Sequence, residues 1–211
     1  MWEMKLETER LILRKPKKSD WRAIYENVDL NVIKNFTMPY PYKQEHAKYL
    51  INDSLKEFGK KSYNFIIELK KEKVIIGMAG IKEIKDINKN TETSLWLGKK
   101  YQNRGYGTEA KIAINDFAFN KLNLRKLKSE VIKTNKISNL IQKKLGYALE
   151  GTKRKECFNP ATKTFVDMNL YSIFKKDWKK ISPKLKLEVS AVEDKIKRFS
   201  VTANPKAAII I

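Results

Sequence analysis

One short segment, YQNRGYGTEA, constrains the fold most strongly, because it lies between a strand-like run and a helix-like run. Gly105 and Gly107 remove two Cβ atoms where the chain turns into the helix, so a ligand can approach the backbone closely. The first N–H groups of a helix have no partner within it, and they attract anions. Arg104 adds a cation, and Gln102 and Asn103 add hydrogen-bond donors. The segment therefore predicts a binding site for a phosphate or a pyrophosphate.

The hydrophobic pattern predicts a mixed α/β domain. Alternating and β-branched residues indicate strands, and apolar residues at helical spacing indicate helices. The predicted strands are KLETERLILRKP, SYNFIIEL, KVIIGMAGI, TETSLWLG, KLKSEVI, YALEGTKRKE and TFVDMNLYSI; the predicted helices are the run from SDW to Asn27, KQEHAKYLINDSLKEF, the run from Tyr106 to Asn120, and NKISNLIQKKLG. This order of elements predicts a mainly antiparallel first half with a crossover in the middle.

The length of 211 residues favours one full-sized domain, which we place at residues 1–180. Residues 181–211 form a predicted C-terminal extension of unknown order. Its sequence fits an amphipathic helix or a strand pair, and it is either partly ordered or docked onto the domain or a partner subunit. No apolar run approaches the roughly 20 residues that a membrane span needs. The N-terminus also lacks the pattern of a secretory signal, so we expect a cytoplasmic protein without membrane partners.

The chain contains one cysteine, Cys157, and one histidine, His46. A single thiol cannot form an internal disulfide, and this pair offers little for a zinc site. We therefore expect no metal.

The formal charge of +21 has two interpretations. A basic protein can attract RNA, the ribosome or other anionic partners through its general field. The positive charge, however, comes from 38 lysines and only 7 arginines, and the lysines are scattered along the chain. Since bidentate recognition of phosphates favours arginine, a solvated lysine-rich surface is the alternative.

The glycine segment also fits a dinucleotide-binding fingerprint. GYGTEA matches G-x-G-x-x-A, and Glu130 lies 23 residues beyond Gly107, near where a ribose-binding acid is expected. In that fingerprint the strand runs directly into the first glycine, whereas GKKYQNR intervenes here. The preceding meander also differs from parallel βαβ units, and the absence of G-K-[ST] argues against a nucleoside triphosphate loop.

Two segments together resemble the GNAT superfamily of acetyl-CoA-dependent N-acetyltransferases. QNRGYG resembles its Q/R-x-x-G-x-G/A element, and TNKISNLIQKKLGY is similar to the N-x-x-S-x-x-x-x-x-K-L-G-F/Y segment of the RimJ/RimL-type branch. The second segment matches at Asn135, Ser138, Leu145, Gly146 and Tyr147. The likeness spans roughly residues 5–178.

The resemblance implies a GNAT-like α+β fold, with a mostly antiparallel central sheet splayed at its middle and helices on both faces. It places pantetheine between TETSLWLG and KLKSEVI, with Asn135 beside it and Ser138 near the sulfur as a hydrogen-bond donor or proton relay. The backbone of Leu97 and Gly98 is expected to contact the pantetheine amides or the thioester oxygen. The implied pyrophosphate site consists of Gln102, Asn103, Arg104, Gly105, Tyr106, Gly107 and Thr108.

Direct attack of an amine on a thioester needs a neutral amine, a polarised carbonyl and a proton for the departing thiolate. By the resemblance, Glu92 and Glu156 are candidate bases, with Glu92 slightly favoured; either could instead be a solvated carboxylate paired with lysine. The RimJ/RimL-type likeness favours the α-amine of a protein N-terminus as acceptor. A small amine such as a polyamine or aminoglycoside, and a non-catalytic module that binds CoA or RNA, are the alternatives. The sequence leaves a monomer and a homodimer equally open.

Overall fold

The computed structural model describes residues 4–84 and 87–202 of the chain, and an eight-stranded sheet forms its centre. The strands lie in the order β1-β2-β3-β4-β5-β6-β8-β7, and every neighbouring pair is antiparallel except β5 and β6. Their bounds are β1 Lys5–Glu7, β2 Leu11–Arg14, β3 Tyr63–Leu69, β4 Ile75–Ile81, β5 Asn90–Leu97, β6 Lys126–Ile132, β7 Ala148–Asn159 and β8 Thr164–Phe174.

Helices cover both faces of this sheet. The bounds are α1 Trp21–Asn27, α2 Leu30–Phe36, α3 Gln44–Glu57, α4 Tyr106–Asp116, α5 Lys136–Lys144 and α6 Lys175–Thr202, and a π-helical turn, Phe117–Lys121, extends α4. Neighbouring residues of β3 enter different core clusters, since Ile66 packs with α1, α2 and α3, whereas Phe65 and Ile67 pack with α4 and α6. The alternation of side chains along a strand thus builds two apolar layers.

The predicted fold class and the predicted splayed sheet are confirmed. Two elements differ from the sequence interpretation. The first predicted strand is two strands, because the hydroxyl of Thr8 accepts a hydrogen bond from the N–H of Leu11 and turns the chain between them. The stretch after α1, where the sequence pattern predicts no helix or strand, contains a second helix, whose start is capped by Asp29 accepting from the N–H of Val32 at 3.0 Å.

The C-terminal helix crosses the predicted domain boundary at residue 180. Trp178 and Leu185 are buried in the core beside α4, and the Trp178 indole N–H donates to Asp116 at 2.8 Å. The helix is therefore anchored to the core on both sides of residue 180, while residues 203–211 lie outside the described chain. The division into a domain and an extension stays a prediction. Within residues 4–84 and 87–202, no helix is both long and apolar enough to cross a membrane.

Replacing Trp178 with alanine tests how strongly α6 is anchored. The side chain is 1% exposed, so we expect Trp178→Ala to lower the free energy of unfolding by about 3–5 kcal/mol. Ile87→Ala is the control, since Ile87 is 99% exposed and its loss should change stability by less than about 0.5 kcal/mol. Urea unfolding measures both, and equal stability of the two variants would show that α6 does not contribute to the core.

Candidate active site

The sheet splits open between β5 and β6. These strands pair in parallel at only three positions, from Asn90 with Lys126 to Glu92 with Lys128. Beyond Glu92 each strand runs on to its end without the other as a partner. One side-chain bond spans the point of divergence, since the Thr93 hydroxyl donates to the carbonyl oxygen of Lys128 at 3.1 Å. The result is a cleft with a closed end at Thr93.

Two adjoining cavities fill this cleft, with volumes of about 200 and 520 Å3. The smaller lies at the closed end, and the larger runs toward the start of α4. They share the side chains of Asn35 and Phe36 from α2, Leu95 from β5, and Asn135, Ser138 and Ile141 at α5. The two cavities therefore form one elongated binding groove.

The glycine segment forms one end of the groove, as its sequence predicts. Gly105 adopts a φ of +80° and begins α4, and Asn103 also lies in the left-handed region with a φ of 60°. The side-chain amide of Gln102 donates to the carbonyl oxygen of Leu97 at 2.9 Å and holds the loop against the end of β5. Gly105, Gly107 and Thr108 line the larger cavity, and the unpaired N–H groups of a helix start favour an anion.

An ion pair fixes the start of α4 to the edge of the sheet. Glu109 is 2% exposed and accepts from the N–H of Arg10 at 2.9 Å and from its Nε at 2.7 Å. The Arg10 guanidinium also donates to the carbonyl oxygen of Arg104 at 3.1 Å and lies 4.5 Å from the centre of the Tyr106 ring. These contacts of Arg10 fix the position of the glycine segment.

The structure brings most of the predicted cofactor-binding residues to the groove. The larger cavity is lined by Leu97, Gln102, Asn103, Gly105, Gly107, Thr108, Asn135 and Ser138. Three others do not line either cavity. The N–H of Gly98 donates to the carbonyl oxygen of Ile76 at 2.9 Å, the ring of Tyr106 packs on the Arg10 guanidinium, and Arg104 is exposed. Their roles in binding stay predictions.

The start of α5 forms the opposite wall. The side-chain oxygen of Asn135 accepts from the N–H of Ser138 at 3.1 Å, so Asn135 caps the helix as well as lining the groove. The next residue, Asn139, fixes the helix to β8, since its side-chain oxygen accepts from Asn169 and from the Tyr171 hydroxyl at 2.7 and 2.8 Å. The Ser138 side chain is thereby held where the two cavities meet.

The two glutamates proposed as bases lie in different settings. Glu92 lines the smaller cavity, is 31% exposed and binds the Lys82 ammonium at 2.8 Å. Glu156 is 41% exposed, binds Lys153 at 3.0 Å and lies outside the lining of either cavity. A third glutamate, Glu130, lines the smaller cavity and shares Lys153 at 3.0 Å. Of the two candidates, Glu92 has the geometry of a residue that can meet a substrate.

A buried lysine lies at the closed end of the groove. Lys111 from α4 is 1% exposed, lines the smaller cavity and donates to the Thr93 hydroxyl at 2.5 Å. Its Nζ atom lies 5.5 Å from the centre of the Tyr147 ring. Burial lowers the pKa of Lys111 to about 7, against a weaker opposing effect from the Glu92 charge. Both ionisation states of this amine are therefore accessible near neutral pH.

A second buried polar group faces the same cavity. Gln142 from α5 is 4% exposed, and within the described residues its side-chain oxygen has no hydrogen-bond partner. An unpaired buried acceptor is unfavourable unless a ligand or water satisfies it. The groove thus offers an acceptor oxygen, apolar walls and an anion-binding end, a combination that fits an elongated thioester carrier with amide groups and a diphosphate.

Comparison with known proteins agrees with this geometry. The family model "Acetyltransferase (GNAT) domain" matches residues 10–148. The chain belongs to the GNAT acetyltransferase family. An uncharacterised N-acetyltransferase of Bacillus subtilis, YnaD, is 31% identical over 177 residues, which cover 83% of this chain and 99% of YnaD. The resemblance seen in the sequence is confirmed, and this acetyltransferase is an N-acetyltransferase enzyme.

Solved structures share the fold of this acetyltransferase. RimL, a ribosomal L7/L12 α-N-protein acetyltransferase, aligns with a TM-score of 0.73 at 17% identity over 82% of this chain and 96% of RimL. Spermidine N-acetyltransferase from Vibrio cholerae, in complex with CoA and spermine, aligns with a TM-score of 0.72 at 21% identity over 81% of this chain and 99% of that enzyme. The dinucleotide alternative is wrong, because β5 and β6 are the sole parallel pair among the described strands.

Sequence reasoning missed three polar residues of the groove, Thr93, Lys111 and Gln142. A signal for Lys111 was present, since it falls at helical spacing from Gly107 and Ile114 on the buried face of α4. A lysine on such a face is uncommon and points to a function. Gln142 and Thr93 gave no comparable signal, because their burial follows from packing between elements distant in sequence.

The pH dependence of stability tests the state of Lys111. Its pKa in the folded protein lies below the value of about 10.4 expected in the unfolded chain, so the unfolded chain binds more protons between pH 7 and 10. The wild type should therefore gain stability relative to Lys111→Met as pH rises through this range, by at most about 1.4 kcal/mol per pH unit. Urea unfolding at several pH values measures the difference. The exposed Lys121→Met should follow the wild type, and parallel curves for Lys111→Met would contradict the assignment.

Proposed function

We propose that this N-acetyltransferase transfers the acetyl group of acetyl-CoA to the α-amine of a protein N-terminus, as in ribosomal-protein acetylation. One observation carries the choice of acceptor. The glutamates near the closed end of the groove already have lysine partners, since Glu92 binds Lys82 while Glu130 and Glu156 share Lys153.

This pairing disfavours a polycationic acceptor. A polyamine or aminoglycoside carries several positive charges, and it would have to displace lysines from these carboxylates in a protein whose formal charge is already +21. A peptide N-terminus brings one amine, and its pKa of about 7.7–8.0 leaves a useful neutral fraction at pH 7. A polyamine-like amine near 10.4 is almost fully protonated there. The α-amine therefore demands less from the enzyme.

The residues of the groove have complementary roles in this proposal. The N–H groups from Gln102 to Thr108 bind the pyrophosphate of acetyl-CoA, and Asn135 contacts the pantetheine chain. Ser138 lies where the cavities meet, near the expected position of the sulfur. Glu92 accepts the proton that the attacking amine loses, and its place in the cavity wall supports it over Glu156. The acceptor amine attacks the thioester carbonyl directly, without an acetylated enzyme.

Other parts of the proposal concern the setting of the enzyme. The lysine-rich surface offers a route to the ribosome or to RNA, the protein acts in the cytoplasm, and it is a monomer or a homodimer. These points rest on composition and resemblance, and they stay predictions.

Filling the anion-binding end tests the cofactor site. A Cβ atom at Gly107 would meet its nearest neighbours, on Leu95, Ile141 and Leu97, at 3.5–3.7 Å, so the fold accepts a Cβ atom there and any larger group takes space from the groove. We expect Gly107→Val to weaken CoA binding at least tenfold in calorimetry with little change in melting temperature. Gly151→Val is the matched control, because an added Cβ at Gly151 meets no neighbouring atom within 4 Å. Unchanged CoA affinity in Gly107→Val would place the cofactor elsewhere.

A panel of acceptors tests the proposed reaction. It contains peptides that vary at their first two positions, the same peptides with blocked N-termini, and spermidine, with CoA release as the readout. We expect unblocked peptides to react with a kcat/KM at least tenfold above that of spermidine, and blocked peptides not to react. A preference for spermidine would show that the acceptor is a small amine and not a protein N-terminus. CoA binding without any turnover would favour a non-catalytic module.

The same assay tests the base. We expect Glu92→Gln to lower kcat by about 100-fold, because a general base contributes roughly two to four orders of magnitude. Glu156→Gln, which removes an ion pair of the same kind outside the cavity wall, should lower kcat by less than threefold. Equal effects of the two substitutions on kcat would contradict the role of Glu92 as the general base.

A further inference from the structure

Lys111 reaches the one place in the groove where the strands begin to separate. Its partner Thr93 donates its own hydroxyl proton to the carbonyl oxygen of Lys128, so Thr93 accepts from the Lys111 Nζ atom. An ammonium group has three N–H donors. Within the described chain, Thr93 is the hydrogen-bond partner of Nζ, and the remaining donors are available to a ligand in the cavity that Lys111 lines.

The transfer reaction needs a proton at this end of the groove. The thioester expels a thiolate, whose thiol has a pKa of about 8.5 if it resembles a cysteine side chain. The Ser138 hydroxyl, expected from the sequence to serve the sulfur, is a far weaker acid than a thiol. The Tyr147 hydroxyl donates to Asn115 at 2.9 Å, and burial raises the pKa of Tyr147. Neither hydroxyl is well suited to protonate the leaving group.

We propose that the Lys111 ammonium is the general acid of the acetyl transfer and gives its proton to the thiolate of coenzyme A. This inference rests on the proposed function and adds a catalytic residue to it. This role gives a function to a charged group whose burial costs free energy of folding.

Atoms and charge are conserved in this proton and acetyl transfer. The neutral acceptor nitrogen bonds to the thioester carbonyl carbon, the C–S bond breaks, and its electron pair leaves on sulfur. The acceptor nitrogen loses a proton to the Glu92 carboxylate, and the sulfur gains a proton from Lys111. The protonated Glu92 then returns a proton to the neutral Lys111 amine through solvent, so the products are an acetylated amine and a free thiol.

The environment of Lys111 makes this donation favourable. With a pKa of about 7, the ammonium is a stronger acid than a thiol near 8.5. The titratable and charged groups around it come from several elements: Glu92 on β5, Lys82 after β4, Glu130 on β6, Tyr147 after α5, and Cys157 on β7. Glu92 supports the charged form, whereas Lys82 and burial oppose it. These opposing effects keep a fraction of the Lys111 amine protonated at pH 7, and a proton that this amine donates can be replaced.

Two substitutions at this position separate proton donation from charge. Lys111→Met retains the apolar stem and removes the amine, whereas Lys111→Arg retains the charge on a guanidinium, whose pKa lies far above that of a lysine amine and which is therefore a poor proton donor. Single-turnover rates are measured from pH 6 to 9 at saturating acetyl-CoA with the best peptide of the panel, and expressed per neutral acceptor amine. Calorimetry of CoA binding accompanies each protein, and Lys121→Met controls for loss of a lysine.

We expect the wild-type rate to fall as pH rises through about 7, and both Lys111 variants to lose this dependence with rates at least 100-fold lower at pH 6. Their CoA affinity and the behaviour of Lys121→Met should stay within threefold of the wild type. A retained pH dependence in either variant, or recovery of the rate by Lys111→Arg, would overturn the inference and leave the proposed function intact. Absence of transfer by the wild type to every amine, with CoA still bound, would overturn both.

Discussion

The early end of pairing between β5 and β6 is the constraint on which the rest of the site depends. Three paired positions join the two halves of the sheet, and the strands then separate. An open strand edge inside a domain leaves backbone groups without sheet partners, which a folded protein must satisfy in another way. Here a ligand can meet that need. The cleft is thus a product of the sheet itself and does not require a separate binding domain.

The elements around the split form the ends and the side of the groove. The pair of Glu109 with Arg10 fixes the start of α4 at one end, and Asn139 fixes α5 to β8 along the side. Lys111 closes the other end through its bond to Thr93. Each of these contacts joins segments far apart in sequence, so the groove has a defined length and a defined polarity. The glycine segment lies at one end of the groove, and Lys111 lies at the other.

Much of this arrangement could be predicted from the sequence. Gly105 and Gly107 revealed the turn into α4 because the backbone there needs residues without a Cβ atom, and the motif around Asn135 revealed the facing wall. The pattern of apolar residues predicted the succession of strands and helices along the chain. The splay and the layered faces came from resemblance to a family, since hydrophobic periodicity alone does not state where two strands cease to pair.

Other features depend on contacts that no local pattern encodes. The helix Leu30–Phe36 was hidden by the nearby prolines, although Asp29 was available as its cap. Gln142 and Thr93 are buried because α5 and α4 pack against the sheet. The sequence shows Lys111 as a charged residue on an apolar helical face. Its role in the site can be inferred only when the position of the cleft is known.

A crystal structure of this enzyme with acetyl-CoA is the most direct test of the central claim. We expect the thioester between β5 and β6 beyond Glu92, with the diphosphate against the backbone from Gln102 to Thr108. We also expect the Lys111 Nζ atom within hydrogen-bond reach of the sulfur or of one bridging water. A coenzyme bound outside the split, or strands that stay paired past Glu92 around it, would contradict the account.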